Sequence, residues 1–156
     1  ELAKVGVTEL LTGSSEENVA TVQTGLGITV IAKVDNDELK LASSSSTDLV
    51  VALGLPKVGA EVVEARTEIA DLELMLDLLE LDYIHEILPV GSKGILYEAK
   101  LLASTNELDL KLSDVGLDLE KSAGPATVLL VTIAEEKLVQ LKEVIDKPVN
   151  VIGRLD

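Results

Sequence analysis

The chain has no cysteine, no tryptophan, no phenylalanine and a single histidine. Without cysteine there is no disulfide framework, no thiolate zinc site and no cysteine nucleophile. The lone histidine, His85, excludes multi-histidine metal sites and makes any Ser-His-Asp triad depend on that one ring. Aromatics are reduced to Tyr83 and Tyr97, too few for base stacking and so few that the core must be aliphatic. Basic residues are also scarce: 13 Lys+Arg stand against 28 Asp+Glu, a net charge of −15. That field repels phosphate backbones and no basic stripe interrupts it, so nucleic acid is excluded as a partner. No apolar run reaches the roughly 18 residues of a membrane span, and the amino end lacks a signal-peptide layout. No membrane partner is expected, and a reducing, cytoplasmic setting is.

What remains is 156 residues, 47% of them apolar, which is material for one average domain or one domain with part of another. Glu1 to Val7 reads as the tail of a helix ending at Gly6, so something is expected to precede it in a parent protein. Thr8 to Thr12 reads as a short strand, 27–34 (GITVIAKV) as a β-branched strand, Asp35 to Asp37 as a turn and Leu39 to Leu41 as a short return strand. Ser43 to Ser46 is a loop. Leu49-Val-Val-Ala-Leu53, closed by Gly54 and Pro56, has the continuous apolar character of a strand buried on both faces. A helix is expected from an N-cap at Thr67 to near Leu81, burying Ile69, Leu72, Met75, Leu76 and Leu79. Ile84 to Val90 reads as a strand and Ile95 to Ala103 as a helix with Ile95, Leu96, Ala99 and Leu102 inward. Strands follow at Leu108 to Leu112 and Thr127 to Ile133. A helix over Glu135 to Ile145 buries Leu138, Leu141, Val144 and Ile145, and a last strand covers Val149 to Ile152. Asp114 to Glu120 and the acidic side of the 68–80 helix read as solvated faces. The alternation after residue 48 predicts an α/β (α+β) domain with helices packed on a mixed sheet.

Three constellations have chemical potential. Gly91-Ser92-Lys93-Gly94 lies between a strand and a helix, where glycines, exposed amides and a lysine suit an anion. It lacks Walker A spacing, and an ordinary βα turn fits equally well. Thr12-Gly13-Ser14-Ser15-Glu16-Glu17-Asn18 is dense in oxygen ligands suited to hydrated Mg²⁺ or ribose hydroxyls, or to a plain solvated loop. His85-Glu86, on a strand before the glycine turn, suits acid–base or substrate contact, or a hydrogen-bonded core histidine.

The phrases TVQTGLG, ALGLPKVG, DYIHEILPVGSKGILYEAKLLAS and KSAGPATV, in that order, resemble the carboxy-terminal half of the PurM-like superfamily. That superfamily includes aminoimidazole ribonucleotide (AIR) synthetase, thiamine-monophosphate kinase and selenophosphate synthetase. Within it the chain resembles the AIR-synthase-related alpha-ribazole kinases of cobalamin salvage. The resemblance implies a remnant of the ATP-binding amino-terminal domain over 1–47 and an AIR-synthase-type carboxy-terminal domain over 48–156. It implies ATP and Mg²⁺ as cofactors of the intact family, and none for this chain alone, because the Asp-rich ATP motif is absent. Its partners would be a small-molecule substrate, the missing amino-terminal domain and a second copy in a homodimer.

Carried over by position, the family's G-G-[E/D]-T loop falls on Thr12-Gly13-Ser14-Ser15, with Ser14 replacing the acid, and Glu17 meets a second acidic position. Asn18 follows in the same loop. His85 matches the synthetase histidine, and Gly91 and Gly94 the glycine turn; Ser92 and Lys93 are candidate contacts. These imply substrate or phosphate binding and no metal ligand. The implied function is the substrate side of an ATP-dependent small-molecule kinase, inactive alone. A non-catalytic binding module or an engineered stable domain is the alternative, motivated by the shortage of aromatics. A standalone phosphate binder using Gly91–Gly94 is a third reading.

Overall fold

Leu49-Val-Val-Ala-Leu53 forms the central strand of the sheet (β1, Leu49–Leu53), and every one of its five residues is buried. In this computed structural model the described residues are 39–156 together with Val22, Ile31 and 33–35. Lys40–Asp156 is one compact unit and Glu1–Leu39 another. The readings over 1–7, 8–12 and most of 27–38 lie outside the described residues.

Within the unit 40–156, β1 is followed by α1 (Glu61–Glu64), α2 (Leu72–Leu79), β2 (Glu86–Pro89), α3 (Gly94–Thr105) and β3 (Leu110–Leu112). Then come β4 (Leu129–Ile133), a 3₁₀ turn at Glu135–Lys137, α4 (Leu138–Val144) and β5 (Val149–Leu155). The five strands form one sheet in the order β2-β4-β1-β5-β3. Each pairing is antiparallel, so the α+β class holds, while the sheet expected to be mixed is antiparallel among the described residues. β1 and β4 are fully buried because they are central and helices cover both faces.

Period-2 alternation divides these strands between two cores. Leu49, Val51, Leu53, Leu129, Val131 and Ile133 face Leu74 and Leu78 of α2 and Leu141 of α4. Val50, Ala52, Leu130 and Ile152 face Ile95, Ala99, Leu102 and Ala103 of α3. Branched aliphatics on strands and small residues on α3 fill these layers, with Tyr83 as the aromatic ring among the buried residues of the first. Pro89, which has no N–H to donate, sits in β2 at the sheet edge, where a ladder tolerates it.

Several local expectations change. The N-cap of α2 is Asp71, whose carboxylate accepts from the Leu74 amide at 2.9 Å, and not Thr67. The backbone before it is committed elsewhere: the Leu55 amide donates to the Glu68 carbonyl and the Ala70 amide to the Thr127 carbonyl. The buried face of α2 is Leu74 and Leu78, with Leu72, Met75 and Leu76 only partly covered and Leu79 53% exposed. A run reading LELMLDLL offers more than one leucine stripe, and docking chose between them. Val144 of α4 is likewise exposed while Leu141 and Ile145 are buried. Leu39 to Leu41 forms no strand; this segment runs past β2, with the Lys40 ammonium on the Ile84 carbonyl.

Candidate functional site

β2 begins at Glu86, and the residues on either side of that point converge with the loop before β1. Asp48 ends that loop with its side chain 3% exposed, and its Oδ2 lies 2.6 Å from Nδ1 of His85, whose side chain is 32% exposed. The same Oδ2 accepts from the Ser45 amide at 2.7 Å, and the Ser43 hydroxyl donates to the His85 carbonyl at 2.7 Å. The His85 amide in turn donates to the Thr132 carbonyl of β4. The ring is thereby held from behind while part of it remains open.

Glu86 is the second buried carboxylate, 6% exposed. Its oxygens accept from the Ala42 amide at 2.9 Å, the Ser44 amide at 3.3 Å, the Ser44 hydroxyl and Nδ2 of Asn106 at 2.6 Å. Thr132 completes the cluster: its hydroxyl meets the Ser44 hydroxyl at 2.8 Å and accepts from the Glu86 amide at 3.1 Å. A buried carboxylate is tolerated when its lone pairs are filled in this way. The loop 42–48 is thus strapped across the start of β2, and it carries two non-glycine residues in the left-handed region, Ala42 (φ 54°) and Thr47 (φ 79°).

Asp48 and His85 make two thirds of a triad. The two nearby serine hydroxyls with side-chain bonds are engaged elsewhere, Ser43 on the His85 carbonyl and Ser44 on Glu86 and Thr132. Two residues upstream, Tyr83 is buried with Lys137 Nζ 5.3 Å from its ring centroid, and burial first, then the charge of Asp82, pushes its phenol above the usual range.

Gly91–Gly94 lies at the far end of β2, so the structure does not bring it together with His85; six residues of extended chain put the two about 20 Å apart. One amide of the turn, and one of the helix that follows it, are bonded inside the chain. The Gly94 amide donates to the Gly91 carbonyl at 3.3 Å and the Leu96 amide to the Leu119 carbonyl at 2.9 Å. Gly94 has φ +82°, and a Cβ there would stand 2.8 Å from the backbone of Leu119 and Glu120. This glycine is required by a close approach of chain to chain. Ser92 and Lys93 are exposed, and Lys93 Nζ lies 4.1 Å from the centroid of Tyr97. An open cavity of about 280 Å³ is lined by Lys93, Leu96, Tyr97, Lys100 and Glu120.

Gly13, Ser14, Ser15, Glu17 and Asn18 lie outside the described residues. Among the described residues no group of three or more His, Asp or Glu has the arrangement of a metal site. No described helix is long and apolar enough to cross a membrane. Sequence reasoning missed Asp48, Ser44, Asn106 and Thr132 as partners. The available signal was the charge itself: an acid abutting a fully apolar strand, and another inside an apolar strand, both require partners.

No family model matches the sequence, and no curated protein matches it. Solved structures do. Escherichia coli HypE, a hydrogenase maturation protein, is similar with a TM-score of 0.56 and 14% identity, covering 73% of this chain and 45% of its own. T. maritima PurL complexed with ATP is similar with a TM-score of 0.52 and 18% identity, covering 78% of this chain and 24% of its own. The chain therefore spans less than half the length of these two proteins. At such identities the likeness is one of fold, and the fold is the PurM-like one that the sequence phrases implied.

Proposed function

We propose that the chain is the substrate-side portion of an ATP-dependent small-molecule kinase, that its substrate is alpha-ribazole, and that it does not turn over ATP alone. The observation that supports this reading is that the phrase 82–104 forms β2 and α3 of a fold similar to those of HypE and PurL. The PurL structure is of an ATP complex, which favours nucleotide chemistry in proteins of this fold. On this reading 1–47 is the remnant of an ATP-binding domain, 48–156 is the substrate-side domain, and the intact protein is a homodimer.

Phosphoryl transfer is mostly positioning and charge neutralisation. This chain's share is to hold the acceptor. His85, backed by Asp48, offers it a polar contact at the start of β2. The test is calorimetric titration of the chain with alpha-ribazole, paired with an ATP-turnover assay on the same sample. Binding without turnover is the expected result. Robust phosphorylation by this chain would overturn the claim of inactivity, and absence of binding would favour a non-catalytic module.

A further inference from the structure

We infer that Asp48 is a positioning residue that locks His85 in one tautomer, so that Nε2 stands at the surface as a hydrogen-bond acceptor for a substrate hydroxyl. The inference rests on the kinase reading for the identity of that hydroxyl, and on geometry alone for the tautomer. In the neutral ring one nitrogen carries the proton and the other accepts. Nδ1 lies 2.6 Å from Asp48 Oδ2, and an ionised carboxylate can only accept, so the proton sits on Nδ1. The exposed part of the ring then presents the Nε2 lone pair, and no described residue donates to it.

The support behind Asp48 is built rather than incidental. Its side chain is 3% exposed, and the Ser45 amide at 2.7 Å fixes the same oxygen that receives His85. Asp48 is preceded by Thr47, a β-branched residue at φ 79°, a conformation that survives only where its surroundings over-determine it. Those surroundings are the Thr47 amide on the Leu155 carbonyl and Arg154 Nη1 on the Thr47 carbonyl at 3.1 Å. A histidine that merely filled space in a core would need neither a buried acceptor aimed at one nitrogen nor a strained residue to aim it.

Because His85 is the only histidine, the imidazole ¹⁵N spectrum of the chain reports this ring without assignment. At a pH where the ring is neutral, a protonated Nδ1 and an unprotonated Nε2 are expected; a protonated Nε2 would overturn the inference. Asp48→Ala removes the acceptor and should release the ring to a tautomer mixture. Asp48→Asn should keep the native tautomer, because the Ser45 amide requires an oxygen at that spot. An alanine variant that retains the Nδ1-protonated form refutes positioning by Asp48, and the wild-type spectrum decides the tautomer even if the alanine variant does not fold. Adding alpha-ribazole to the wild type should move the Nε2 resonance; calorimetric binding that leaves it unmoved refutes the substrate contact. Failure of alpha-ribazole to bind at all overturns the substrate hydroxyl and the kinase reading together, while the tautomer result stands by itself.

Discussion

Glu86→Ala tests whether the strap over β2 is held by its buried carboxylate. Truncation removes four accepted hydrogen bonds, from the Ala42 and Ser44 amides, the Ser44 hydroxyl and Asn106 Nδ2. The donors are not equally orphaned. The Ser44 amide keeps Asn106 Oδ1 at 2.9 Å, the Ser44 hydroxyl keeps Thr132, and Asn106 Nδ2 keeps the Leu102 carbonyl at 2.9 Å. Only the Ala42 amide is left with no other described partner, and Ala42 is exposed enough to turn toward water. Bonds to a charged acceptor contribute about 1.5–3 kcal/mol each before such compensation. Against them stands the desolvation of a carboxylate with no cation among these partners. The expected net cost is about 2–4 kcal/mol, a large share of the roughly 5–15 kcal/mol that stabilises a domain of this size.

Glu86→Gln keeps the shape, but either amide orientation turns an NH₂ toward a donor, Ala42 on one side or Asn106 on the other. A cost of about 1–2 kcal/mol is expected. Urea unfolding gives both values, and amide exchange over 40–48 should accelerate in the alanine variant before global stability fails. An alanine variant within about 0.5 kcal/mol of the wild type, with unchanged exchange at Ser44, would show that desolvation cancels the bonds and that the strap is held otherwise.

Leu78→Ala should cost about 2–5 kcal/mol and Leu79→Ala under about 0.5 kcal/mol, since Leu78 is 0% and Leu79 53% exposed; reversed costs in urea unfolding would mean α2 docks on its other stripe. Gly94→Ala combines φ +82° with a Cβ 2.8 Å from backbone atoms and should destabilise by well over about 1 kcal/mol, read as a lowered thermal midpoint. Tyr83→Phe removes a buried hydroxyl without a partner among the described residues and should stabilise by about 0.5–1 kcal/mol at neutral pH. Because the folded-state pKa of Tyr83 is raised above 10.0 by burial, its contribution is intact below that value and lost as pH rises through the native one. The wild type should therefore lose more stability than the phenylalanine variant between about pH 9 and 12. Lys93→Ala should leave stability within about 0.5 kcal/mol and weaken inorganic phosphate binding if the cavity beside Tyr97 takes anions; unchanged phosphate affinity by calorimetry removes Lys93 from the site.

Much of the element pattern was legible because composition is local. Continuous apolar runs named β1 and β4, whose burial on both faces follows from there being nothing polar to expose. The residue pair His85-Glu86 was visible as polar chemistry on an apolar strand. Its partners were not, since Asp48 lies 37 residues away in the chain and Asn106 lies 20 from Glu86. The glycine turn was legible as a turn, whereas its packing role rests on contact with Leu119 and Glu120, distant in sequence.

The sequence alone determined an aliphatic, acidic α+β chain with one histidine and no thiols, because these depend only on which residues are present and how they are spaced. The tertiary structure decided which leucines of α2 face inward, which acids are buried, and that His85 is backed by Asp48 while Gly94 is spent on packing. Those outcomes depend on docking elements from opposite ends of the chain, and spacing along a sequence does not encode which donors an acid will meet once the chain has folded.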